Sequence, residues 1–179
     1  MIYGQDITKE TLRFTESEKD TVQNFNCGNE VIDNYLKDKA YKDSQTVTFI
    51  VKDVSDNSVI CYYSLSCSGL ALDHGIGGKI TIYPVVEIKM FAIDEKYQHT
   101  QFSDDPEDGN LSDYLFYDVI GHIFNFTEEQ CGADKIILYS VPDALNFYSR
   151  NGFSVFEDYM KPSSDWFTDG CIPMYMDLK

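Results

Sequence analysis

The stretch Val85–Phe126, VVEIKMFAIDEKYQHTQFSDDPEDGNLSDYLFYDVIGHIFNF, decides how this chain folds. Val85–Ile93 reads as a strand, and apolar residues on both of its faces near the end predict a central position in a sheet. From Leu111 the apolar residues Leu115, Val119, Ile123 and Phe126 recur at helical spacing, which predicts a helix over Leu111–Phe126. A strand that turns into a helix sets the free N–H groups and positive end of that helix near the strand tip, where they can hold phosphate. Loops of that kind are short and glycine-rich, because glycine lets backbone approach an anion closely. Here the connection Tyr97–Asn110 is long and carries Asp104, Asp105, Glu107 and Asp108. A calcium loop does not account for it: Pro106 stands at the third ligand position, and the twelfth residue from Asp104 is Leu115.

Working outward, Glu30–Tyr41 places Val31, Tyr35 and Leu36 on one stripe and predicts an amphipathic helix capped by Asn29. Thr46–Lys52 and Val59–Leu72 read as a strand pair joined by a turn at Asp56-Asn57. A glycine-rich bend, His74–Gly78, leads back to the central strand. Beyond the long helix come a buried strand at Asp134–Val141, a short helix at Asp143–Arg150, a strand start at Gly152–Phe156 and a last strand at Pro173–Asp177. The order of helix, antiparallel strands, then strand–helix–strand–helix–strand predicts an α/β (α+β) domain with a mixed, mostly antiparallel sheet flanked by helices. With no linker or repeat in 179 residues, a single domain over 1–179 is expected.

The net charge of −16 is the outlying bulk property. Such a surface repels phosphate backbones and anionic lipid, so nucleic-acid and membrane partners are disfavoured, while cationic small molecules or lysine-rich segments are attracted. The densest basic stretch, Lys37, Lys39 and Lys42, is interleaved with Asp38 and Asp43 and reads as a solvated helix face. Five scattered cysteines without a C-x-x-C pair read as reduced, mostly buried thiols. Cys61 and Cys67, an even number apart on one strand, are expected on one face. The histidines His74, His99 and His122 show no metal-ligand spacing, and no metal site is expected. No apolar run approaches membrane-spanning length and the N-terminus has no signal pattern, so the expected location is the cytoplasm.

Two segments carry a family resemblance. Ala144–Phe153, ALNFYSRNGF, resembles the A-x-x-F-Y-x-x-x-G-F signature of the GNAT superfamily of acyl-CoA-dependent N-acetyltransferases, and Phe25–Leu36, FNCGNEVIDNYL, resembles the opening of a branch that includes toxin–antitoxin acetyltransferases. The strand IKMFAID is also similar to the family's central strand. The resemblance implies a GNAT fold with acetyl-CoA as co-substrate. It implies that backbone groups of Phe91, Ala92 and Ile93 bond the pantetheine arm, and that the pyrophosphate sits on a Q/R-x-x-G-x-G/A loop at the next helix. Gln98 matches the first position of that loop, whereas its glycine positions read Gln101 and Ser103. Treating residues 103–111 as an insertion restores the match, with Gly109 and Asn110 supplying the turn and Leu111 and Ser112 opening the helix. Each added carboxylate about 8 Å from a phosphate would cost roughly 0.5–2 kcal/mol, and almost nothing if the loop turned outward.

The resemblance also implies that Tyr148 protonates the departing thiolate. A phenol suits that role, because its pKa lies near that of a thiol. Equally, Tyr148 beside Phe147 and Phe153 can serve packing alone. Glu87, on the central strand and sharing a face with Lys89 and Phe91, is a candidate general base or one half of an ordinary ion pair; Asn146 is a candidate contact for substrate or cofactor. Three functions stay open: acetyl transfer to an amine of a small molecule or protein, with a homodimer possible; a non-catalytic module that uses its acidic surface for a partner; and a toxin acetylating aminoacyl-tRNA, which the charge disfavours.

Overall fold

The computed structural model describes residues 3–73, 77–78, 80–156 and 170–178. Seven strands form a sheet in the order β1-β2-β3-β4-β5-β7-β6: β1 (Lys9–Arg13), β2 (Val47–Asp53), β3 (Val59–Asp73), β4 (Ile80–Ile93), β5 (Lys135–Ser140), β6 (Ser154–Val155) and β7 (Ile172–Asp177). The β1–β2, β2–β3, β5–β7 and β6–β7 pairings are antiparallel and β4–β5 is parallel. The mixed, mostly antiparallel sheet expected from the sequence is therefore present, with β4 between β3 and β5. Among the described residues, three α-helices accompany it: α1 (Glu30–Asn34), α2 (Leu111–Glu129) and α3 (Leu145–Arg150).

Two compact units can be distinguished, one of residues 1–65 and 89–119 and one of residues 66–88 and 120–179. In the first, Phe14, Val22, Phe25, Leu36, Ile50 and Tyr62 form the core. The edges of the Phe25 and Tyr62 rings meet with centroids 5.4 Å apart. In the second, Leu70, Val85, Ile137 and Phe156 pack together, with Tyr175 edge-on to Phe156.

Several elements depart from the sequence expectations for identifiable reasons. The predicted helix Glu30–Tyr41 is α-helical only to Asn34 and continues as a π-helical turn over Tyr35–Lys39, closed by the Ala40 N–H on the Tyr35 carbonyl at 2.8 Å. The wider turn accompanies burial of Tyr35, Leu36 and Ala40, and the Tyr35 hydroxyl bonds Asp43 and Thr46. Val31, expected on the apolar stripe, is 44% exposed. Asn29 caps this helix as expected, its side-chain oxygen accepting from Val31 and Ile32 N–H.

The expected short helix Asp143–Arg150 begins with a 3-10 turn at Pro142–Ala144, where proline sits at a first-turn position. Strand β1 has no counterpart among the sequence expectations, since KETLR offers one apolar residue, Leu12, to a pattern search. The five thiols are free, but they are not mostly buried as expected: Cys61 is buried, Cys67 on the same strand is exposed, and Cys27, Cys131 and Cys171 are half-buried. Beyond Leu65 the β2 partner has ended, so strand periodicity no longer reports burial there. Within the glycine-rich bend, His74, Gly75 and Ile76 lie outside the described residues; Gly77 and Gly78 turn with positive φ. Among the described residues, no helix is long and apolar enough to cross a membrane.

Candidate functional site

The tip of β4 and the start of α2 are built within the first unit. α2 begins at Leu111, the residue from which helical periodicity runs, and Leu111, Leu115, Phe116, Val119 and Ile123 are buried along it. At the strand tip Ala92 and Ile93 are buried, and the Phe91 ring packs on Phe116 with centroids 5.0 Å apart. Gln98 folds back under this tip: its side-chain amide donates to the Ile93 carbonyl at 2.8 Å and to the Cys27 carbonyl at 3.0 Å. It is thus a brace between the strand end and the N-terminal segment, a use that spacing alone does not reveal. Asn26 adds to the same joint, its backbone N–H donating to Asp94 and its side-chain amide to Glu95.

The acidic insertion folds on itself. Gln101 and Asn110 form an antiparallel bridge, and the Phe102 N–H donates to the Gly109 carbonyl at 2.9 Å. At its end lies a 3-10 turn, Pro106–Asp108, capped by Asp105 accepting from the Glu107 N–H. Gly109 takes φ 76°, a conformation that costs glycine little and other residues much. The Ser103 hydroxyl hydrogen-bonds Asp108, and the Phe102 ring stacks on Tyr114 with centroids 3.6 Å apart.

The N-terminal segment holds this small hairpin in place. Gly4 and Gln5 N–H groups donate to Gln101 and Phe102 carbonyls at 3.0 and 2.8 Å, and Tyr3 hydrogen-bonds Asp104, which raises the phenol pKa. At the helix start, the Leu111 N–H donates to the Thr100 carbonyl at 2.9 Å and the Asp113 N–H to Asn110 at 3.0 Å. Part of the amide cradle is therefore satisfied by the chain's own carbonyls. Gly109, Asn110 and Ser112 are partly exposed beside the buried Leu111. His99, with φ 55°, is exposed at the entry to this loop.

In the second unit, the parallel register of β4 and β5 runs from Val85 against Lys135 to Ile88 against Leu138. Glu87 lies in this paired segment and is 7% exposed. The Tyr139 phenol is pushed up from its ordinary value, first by burial and then by the Glu87 charge. Tyr148 on α3 is half-buried, with Phe147 and Phe153 edge-on to its ring at 5.2 and 6.1 Å. Its hydroxyl is held well above the usual phenol range, mainly by burial and secondarily by Cys171. Such a phenol keeps its proton at neutral pH. Asn146, two residues earlier, is exposed. Tyr139 is not legible as a neighbour of Glu87 in the sequence, because that relation arises from the parallel pairing of β4 and β5; Cys171 precedes β7 and is related to Tyr148 on α3 only through the tertiary fold. Among the described residues no cluster of His, Cys, Asp or Glu has the form of a metal site.

No protein-family model matches the chain, and a comparison with curated proteins finds no match. Solved structures do resemble it along its length. A structure described as a bacterial toxin is 21% identical, covers 96% of this chain and 92% of its own, and has a TM-score of 0.69. AtaT complexed with acetyl-methionyl-tRNAfMet is 16% identical, with 95% of each chain covered and a TM-score of 0.67. AtaTR bound with AcCoA is 15% identical, with 95% of this chain and 93% of that one covered and a TM-score of 0.65. The fold that this chain shares with them is the GNAT fold implied by its Ala144–Phe153 and Phe25–Leu36 segments.

Proposed function

We propose that this protein is an acetyl-CoA-dependent N-acetyltransferase. The observation that carries the reading is the end-to-end likeness to a toxin seen with acetyl-CoA. The strand β4, the following loop and the helix α2 occur here in the order that the resemblance requires. Backbone groups of Phe91, Ala92 and Ile93 bind the pantetheine arm, and the Gly109–Ser112 segment at the start of α2 receives the pyrophosphate. For the anion to sit there, the Leu111 N–H exchanges its Thr100 partner or shares it. Gln98 acts indirectly, by fixing the carbonyl of Ile93. Asn146, exposed on α3, contacts cofactor or acceptor.

In the chemical step a neutral amine attacks the thioester carbonyl. A C–N bond forms, the C–S bond breaks, and the amine loses a proton as the CoA thiolate gains one. Glu87 receives the amine proton, directly or through water, and Tyr148 supplies the thiolate proton. A phenol that burial keeps neutral is suited to donation. The acidic surface favours cationic acceptors.

A second reading concerns the acceptor. AtaT, with this fold, has been captured with acetyl-methionyl-tRNAfMet, which favours the α-amine of an aminoacyl-tRNA. The charge of −16 works against RNA as a whole molecule, so this reading requires a local basic surface. The test is release of CoA thiol from acetyl-CoA with a panel of polyamines, lysine peptides and aminoacylated tRNA, alongside Tyr148→Phe. Turnover with one acceptor class that collapses in the variant supports the proposal. A folded protein that binds no acyl-CoA would leave the binding-module reading, for which the loop's self-satisfied amides speak.

A further inference from the structure

Within the first unit, the segment Phe25–Leu36 meets the tip of β4 through one residue held at both ends of its backbone. The Cys27 carbonyl accepts from the Gln98 side-chain amide at 3.0 Å, the same nitrogen that donates to the Ile93 carbonyl. The Cys27 N–H donates to Asp33 Oδ1 at 2.9 Å. Asp33 is 7% exposed, a position where a carboxylate costs stability unless hydrogen bonds satisfy it. The helix that presents Asp33 is itself fixed. The Asp33 N–H donates to the Asn29 carbonyl at 2.9 Å, and the Tyr62 hydroxyl of β3 donates to the Ile32 carbonyl at 2.9 Å. The turn before the helix lies against the residues that follow β4: the Asn26 carbonyl accepts from the Glu95 N–H at 2.8 Å. Gly28 takes φ 85°, its N–H donates to Asn26 Oδ1 at 3.1 Å, and a Cβ there would stand 2.8 Å from Glu95 Oε1.

We propose that Asp33 is a positioning residue for acetyl-CoA: through the Cys27 backbone and Gln98 it sets the place of the Ile93 carbonyl, and so of the backbone that receives the pantetheine arm. This role rests on the acetyltransferase reading given above. Two carbonyls share one amide nitrogen, so Gln98 holds Ile93 only as firmly as Cys27 is held on its other side. Asp33 supplies that hold, and a hydrogen bond from a backbone N–H to a carboxylate is stronger than one to a neutral acceptor. A strand end that is fixed beforehand spares the ligand the entropy of ordering it, which raises affinity. Asp33 therefore acts on acetyl-CoA binding and leaves the proton transfers alone. Asparagine at this position keeps an acceptor oxygen for the Cys27 N–H, whereas alanine has none.

Asp33→Ala and Asp33→Asn are compared with the parent protein by urea denaturation, by calorimetric titration with acetyl-CoA, and by hydrogen exchange over residues 89–98 without ligand. Asp33→Ala should bind acetyl-CoA about 3- to 10-fold more weakly. Exchange over residues 89–98 should quicken in the ligand-free variant, and KM for acetyl-CoA should rise while kcat at saturation holds. Asp33→Asn should recover most of the affinity. A carboxylate that only stabilises the fold would lower the urea midpoint and leave affinity and exchange of the folded variant at parental values, which would overturn the proposal. Should Asp33→Ala not fold, the parent protein answers through linkage: saturating acetyl-CoA should slow exchange of the Cys27 N–H, and unchanged exchange there would overturn the proposal. A parent protein that binds no acetyl-CoA would remove the acetyltransferase reading and this role together. Parental affinity in Asp33→Ala would remove this role alone.

Discussion

Gln98 spans the 2.8 Å to the Ile93 carbonyl and the 3.0 Å to the Cys27 carbonyl with a single side-chain amide nitrogen. It thereby joins the last residue of β4 to a segment more than sixty positions earlier in the chain. The carbonyl it restrains belongs to the backbone proposed to face pantetheine. Gln98→Ala leaves two carbonyls short of a partner and should lower stability by about 1–3 kcal/mol. Acetyl-CoA affinity should fall as well, because the backbone proposed to hold the pantetheine arm loses its restraint. Urea denaturation and calorimetric titration of the same preparation check both; Gln98→Glu, which puts a carboxylate against the two carbonyls, should be the worse variant.

Gly4 approaches the helix start so closely that a Cβ there would lie 2.9 Å from Leu111 Cδ1 and 3.3 Å from the Phe102 ring. Gly4→Val should detach the N-terminal segment from the Gln101–Asn110 hairpin and cost about 1–3 kcal/mol, the usual range for overpacking. Limited proteolysis should then cut at Asp104–Asp108 faster than in the parent protein. Unchanged cleavage and melting would mean that the N-terminal strap does not secure the loop.

Tyr148→Phe removes one oxygen and keeps the ring contacts with Phe147 and Phe153. The proposed proton donor predicts a fall in kcat of about 100-fold or more, with acetyl-CoA affinity unchanged. A residue that only packs would leave kcat within a few-fold of the parent value. Pre-steady-state measurement of thiol release separates the two roles.

The alkaline limb of the stability curve should be steep. Burial raises the pKa of Cys27 from 9.0 to about 12, and that of Tyr148 above its ordinary 10.0. Cys61 and Tyr62 are also raised by burial. A raised folded-state pKa means that the native state holds its proton more tightly than the unfolded chain does. The stabilisation is therefore whole below the unfolded value and is lost as pH climbs past it. Urea midpoints should stay level up to about pH 8.5 with respect to these groups and decline from about pH 9 upward. Midpoints that hold level to about pH 11 would contradict the burial of these groups.

Much of the fold was legible because periodicity and capping reflect local physics. The Leu111–Phe126 pattern fixed the start of α2 to the residue, and Asn29 capped α1 where its short polar side chain predicted. Strand β1 and the π-helical turn were not legible: an edge strand needs few apolar residues, and the turn accompanies tertiary burial of Tyr35, Leu36 and Ala40. At the candidate site, the loop's sequence identified what had been inserted. It did not disclose that Gln98 turns inward, that Tyr3–Gln5 hold the insertion, or that Thr100 takes the Leu111 amide. Those are long-range hydrogen bonds, which no spacing rule encodes.

The central claim is an acetyl-CoA site formed by the end of β4 and the start of α2, and thermal unfolding with and without acetyl-CoA, paired with calorimetric titration, tests it most directly. At about 100 times its dissociation constant the ligand should add roughly 2.7 kcal/mol, a rise of several degrees in Tm for a chain of this size. A site of this kind predicts such a rise, larger than that produced by ATP at equal concentration, with one binding site by calorimetry. A folded protein that shows neither shift nor heat at millimolar acetyl-CoA would contradict it.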